Sequence, residues 1–105
     1  MMAKLVLQPN PQFKGAVEIP CAGESPATVE FTFIHRTKSA LDEFIKTRVG
    51  VDDVESFMAM VSGWDLKEEF NADNVALLLE NYISAAQATF QAYVRLLVEG
   101  KSKNF

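Results

Sequence analysis

The sequence has a single cysteine and a single histidine, and it is short of positive charge. Cys21 alone cannot form an internal disulfide, which fits a reducing compartment. Ten Lys and Arg stand against fourteen Asp and Glu, for a net charge of -4. That balance argues against a nucleic-acid binder, which normally shows a basic surplus or a basic face. The densest basic stretch, His35-Arg36 to Lys38, is soon followed by Asp42 and Glu43. No stretch approaches the roughly 20 apolar residues of a membrane-spanning helix. Behind Met1 to Lys4 only Leu5-Val6-Leu7 is apolar, too short for a signal-peptide core. The expectation is a soluble, cytoplasmic protein with no nucleic-acid or membrane partner.

Catalytic machinery is equally sparse. Cys21 and His35 are the one pair able to form a thiolate beside an imidazolium. Cys21 falls in a predicted loop and His35 at a predicted strand end, and no third group orients them. The acidic groups Asp52-Asp53-Glu55 and Glu68-Glu69-Asp73 lack the alternating ligands and glycine of a calcium loop. Both lie at predicted helix starts, where carboxylates favour the positive end of the helix dipole. There is no phosphate-binding glycine loop. A helix-turn-helix reading of the tandem helices fails too, because the would-be recognition helix is leucine-rich and poor in Arg, Lys and Gln. No catalytic residue, metal or cofactor is expected.

What is present is a folding chain. Nearly half of its 105 residues are apolar, and eight are phenylalanine. The length suits one domain with its own core. Residues 1–12 read as a loose arm or edge strand, 13–99 as a single α+β domain and 100–105 as a flexible tail. Phe13, Gly15, Val17 and Ile19 alternate with polar neighbours, as do Val29, Phe31 and Phe33. Pro20 to Pro26 reads as the loop between them. The prediction is an antiparallel hairpin, of three strands if Leu5 to Leu7 joins, followed by a bundle of about four helices that covers its phenylalanine face.

Thr37 is expected to cap the first helix, whose apolar face is Leu41, Phe44, Ile45 and Val49 up to Gly50. Asp52 with Glu55 opens a second, with Val54, Phe57, Met58 and Val61 at helical spacing and Gly63 ending it. Trp64, the only tryptophan, is expected to close the joint to a third helix and plug the core. In that third helix Phe70 staples, Asn71 caps, and Val75, Leu78, Leu79 and Tyr82 face inward. Ser84 is expected to cap a fourth helix that ends at Gly100. Ala86, Phe90, Tyr93, Val94 and Leu97 form its apolar face, and Ala85, Ala88, Ala92 and Leu96 extend that face around the helix. So wide an arc is either central in the domain or divided between the core and a partner, and core burial is the commoner use.

From Ser62-Gly63-Trp64-Asp65-Leu66 through Glu69-Phe70, Asn74, Leu78-Leu79-Glu80-Asn81-Tyr82, Ala85-Ala86 and Ala92-Tyr93, the chain resembles the tail assembly chaperones of long-tailed bacteriophages and prophages. Phe33-Ile34-His35-Arg36-Thr37 and Asp52-Asp53-Val54-Glu55 extend the resemblance upstream, so that it covers roughly residues 28–98. No motif in it is catalytic. It departs at Ile83, where a proline is expected after the tyrosine, and this bears on the bend between the last two helices. The resemblance implies a non-enzymatic protein in the host cytoplasm, absent from the finished virion. Such a protein binds the tape-measure protein and helps to recruit tail-tube subunits. It also implies that many members have a longer, frameshifted form, for which the Lys101 to Phe105 tail is a natural end of the short one.

A chaperone for a helical client needs apolar surface that receives amphipathic helices, and adaptable Met side chains suit varied partners. Met60, Ala85, Ala88, Ala92 and Leu96 are therefore the candidate partner-binding residues, with structural roles for Trp64, Phe70, Asn71 and Tyr82. Glutamate at Leu96 or Ala92 is expected to abolish binding and spare the fold. Self-association through the same face is a competing use. The rival functions are a small structural or adaptor subunit of the tail, and a regulator that binds a host protein.

Overall fold

The computed structural model describes residues 4–100, so the predicted tail Lys101 to Phe105 lies outside the described residues. The fold is α+β. Strands β1 (Gln12–Cys21) and β2 (Glu24–Ile34) form a hairpin, and helices α1 (Lys38–Thr47) and α2 (Asp53–Met60) follow. A short strand β3 (Val61–Trp64) returns to the sheet, and α3 (Ala72–Asn81) and α4 (Ala85–Glu99) complete the chain. The sheet is antiparallel in the order β1-β2-β3.

The hairpin follows from its period. Gly15, Val17, Ile19, Val29, Phe31 and Phe33 are buried, and their neighbours on the other face are mostly exposed. Two expectations about the sheet are corrected. The stretch from Pro20 to Pro26 is mostly strand, and only Ala22-Gly23 turns, with Gly23 at φ 75°. The prolines fit because the register shifts between Ile19↔Ala27 and Cys21↔Glu24, which leaves Pro20 and Pro26 at an irregularity where a missing donor breaks no ladder. The third strand is Val61–Trp64, and Leu5 to Leu7 is exposed and outside the sheet. Val61 suits a helix face or a strand equally. It extends (φ -119°, ψ 133°) because the backbone groups of β2 on that side need partners. Strand β3 pairs with Phe31 to Phe33, and Asp65 continues the edge by donating its N–H to Glu30 O at 3.2 Å.

The core centres on Tyr93, Phe31, Phe33 and Phe57, all essentially inaccessible to solvent. Tyr93 stacks on Phe33 at 5.5 Å between ring centroids and meets Phe44 edge-on at 6.1 Å. Its hydroxyl donates to Ile34 O at 2.7 Å and accepts from Arg36 Nη1 at 2.9 Å. The same Arg36 nitrogen donates to Ala59 O at 2.7 Å, and the guanidinium lies 4.3 Å from the Phe44 ring. One arginine thus ties the end of β2 to α1, α2 and α4. Burial pushes the Tyr93 phenol above its ordinary range, and the bonded Arg36 charge pulls it part of the way back.

Trp64 is not the plug. It ends the edge strand half-buried, meets Phe70 edge-on at 5.1 Å, and donates its indole N–H to Glu68 O at 2.7 Å. The buried line of α4 is also rotated from the expected one. Ala85, Thr89, Ala92 and Tyr93 are buried, whereas Ala86, Phe90, Val94 and Leu97 are half-buried. The cause is close approach. A Cβ at Gly15 would run into Leu96 Cδ1, so the bare backbone of Gly15 lets Leu96 of α4 pack down onto β1. Ser84 precedes α4 without a side-chain capping bond; instead Ala85 N–H bonds Tyr82 O at 2.9 Å in a tight corner.

Candidate functional site

The partner-binding candidates divide between interior and surface. Met60, Ala85 and Ala92 are buried in the core of this chain, and Ala88 and Leu96 are half-buried. Glutamate at Ala92 would therefore place a carboxylate in the core, so the expectation that it spares the fold is corrected. Ala88, Ala92 and Leu96 line a groove of about 580 Å³ between α4 and β1. The remainder of its wall includes Glu18, Gln91, Arg95 and Glu99, so it is mixed in polarity and carries both signs of charge.

A second groove, of about 330 Å³, opens between the tip of the hairpin and α3. Ile19 and Val29 form its floor, Trp64 and Leu66 one wall, and Leu77 and Leu78 the other. Tyr82 stands at its end, 39 % exposed, so it does not complete the inner face of α3 as expected. Leu77 is 58 % exposed and Ile83, just beyond Tyr82, is 93 % exposed. Three large apolar side chains on one short stretch of surface exceed the scattered singles of an ordinary exterior.

The wall from Asp65 to Asn71 has no regular secondary structure, yet it is tied down. Trp64 holds Glu68 O, and Asn74 Nδ2 donates to Glu69 O at 2.7 Å. Asn71 Oδ1 accepts from Asn74 N at 2.9 Å and caps α3. Phe70 is half-buried against the core. The acidic cluster here thus contributes through its backbone carbonyls, and Asp52 is likewise a cap, accepting from the N–H groups of Val54 and Glu55.

The other sequence candidates stay apart. Cys21 lies beside the hairpin turn, whereas His35 N–H bonds Pro11 O at the opposite end. Ten strand residues separate those ends, roughly 30 Å at the usual strand rise. Among the described residues no group of three or more His, Cys, Asp or Glu is placed to hold a metal ion. No helix among them is long and apolar enough to cross a membrane.

A family model described as phage tail assembly chaperone matches residues 2–104 of the 105-residue chain. No curated protein and no solved structure matches it.

Proposed function

Because the chain belongs to the phage tail assembly chaperone family, we propose that it binds the tape-measure protein during tail assembly and helps to recruit tail-tube subunits, without catalysing a reaction. The match over nearly the whole chain is the observation that carries this reading. The surface is compatible with it. Apolar side chains of α3 and of the α3–α4 corner stand exposed beside a preformed groove, which is what holding an apolar client requires. In this reading the protein acts in the cytoplasm of the bacterial host and leaves before the virion is complete.

Co-expression with the tape-measure protein of the same phage tests it. The expected result is that the tape-measure protein, insoluble alone, becomes soluble and co-purifies with this chain. A tape-measure protein that stays insoluble in both cases would remove the proposal for this form of the protein. A tail component is the rival reading, and detection of the chain in purified virions by mass spectrometry would favour it.

A further inference from the structure

We infer that the groove between the hairpin tip and α3 is where the client docks, and that it selects an amphipathic helix whose apolar stripe is flanked by lysine or arginine. The inference rests on the chaperone reading above and adds the site and the chemistry of its occupant. Charge makes the first argument. Residues 68–82, which supply the α3 wall, carry Glu68, Glu69, Asp73 and Glu80 and no Lys or Arg. Residues 19–29, which supply the hairpin wall, carry Glu24 and again no Lys or Arg. Between these walls, Asp65 and Lys67 offset one another. An apolar floor inside an acidic frame attracts a cation-flanked partner and repels an acid-flanked one. The groove along α4 differs in holding a cation, Arg95, beside Glu18 and Glu99.

Backbone chemistry makes the second argument, for a helix over a strand. On the side of β2 away from β1, Glu30 and Thr32 present their backbone groups, which Asp65 and Ser62 satisfy. Alternation puts Thr28 and then Pro26 next along that edge, beyond the end of β3. Proline has no N–H, so a strand added there stops after one residue. A helix needs no backbone partner. It docks by side chains spaced three and four apart, which suits a side-chain-lined groove with Leu77 and Tyr82 exposed in its wall. The bonds from Trp64 and Asn74 fix the loop wall in advance, which lowers the ordering cost of binding.

Trp64 lines this groove and is the only tryptophan, so its fluorescence reads occupancy there. The probe is an 18-residue amphipathic peptide of leucine and lysine, set against a twin with glutamate for lysine. The lysine peptide should shift Trp64 emission saturably. Its affinity should fall at least tenfold in Leu77→Ser and in Glu68→Lys/Glu80→Lys, with melting temperatures near the parent. Equal binding of both peptides, or of the lysine peptide to parent and variants, overturns the inference. Capture of the tape-measure protein by the same variants separates the two readings. If the parent captures it and the variants do so equally, the groove falls and the chaperone role stands. If the parent binds the lysine peptide but captures no tape-measure protein, the groove's selectivity stands and the client identity falls.

Discussion

The two ends of this molecule are built on opposite principles. Around Tyr93 one Arg36 nitrogen meets both Ala59 O and the tyrosine hydroxyl, which itself donates to Ile34 O, and the aromatic rings of β1, β2, α1 and α4 close over the site. Around α3 the chain does the reverse and leaves Leu77, Tyr82 and Ile83 in water beside an open groove. Each exposed leucine or isoleucine forgoes about 1.5–3 kcal/mol of burial, a large loss for a domain of this size. The closed end holds the fold firmly enough for the open end to stay unfilled. The difference teaches where to look for stability and where to look for a partner.

Substitutions at the closed end should break the comparison most. Tyr93→Ala removes a fully buried ring together with its hydroxyl bond to Ile34 O, and it leaves Arg36 without its central partner. The expected loss is about 3–5 kcal/mol, read by urea denaturation, and the variant should be largely unfolded at 37 °C. Arg36→Met keeps much of the packing against Phe44 and removes only the charged donor. Ala59 O then loses its side-chain partner, while the Tyr93 hydroxyl retains Ile34 O. A cost of about 1.5–3 kcal/mol follows from losing bonds to a charged group. A loss below about 0.5 kcal/mol would show that the rings alone close this end.

The contrast also explains what was legible in the sequence. Hairpin phasing was readable because Val17, Ile19, Val29, Phe31 and Phe33 keep a strict period of two. The caps Thr37, Asp52 and Asn71 were readable because capping is local chemistry. Strand β3 was not, since Val61 fits the helical period of α2 as well as it fits the sheet. The phase of α4 was not either. A helix that is apolar almost all round has no preferred face until Gly15 on a distant strand admits Leu96. Of the candidate partner surface, three positions proved to be interior. The open groove had no local signature, because its walls come from residues 19–29, 64–68 and 74–82.

A smaller effect sharpens the comparison from the open end. Asn71 caps α3 through a single bond to Asn74 N–H, and α3 runs only from Ala72 to Asn81. Asn71→Ala leaves that donor unmatched, and the adjoining bond from Asn74 to Glu69 O loses its anchored geometry. The expected cost is about 1 kcal/mol. Its distribution matters more than its size. With α3 half open on one side, the loss should appear as faster amide exchange confined to residues 72–81 and the loop before them, while the amides of β2 and α4 keep their protection. Uniform acceleration across the sheet would instead mean that the two ends unfold as one unit. In that case the exposed side chains of α3 would belong to the same cooperative structure as Tyr93, and the groove would be as rigid as the core beneath it.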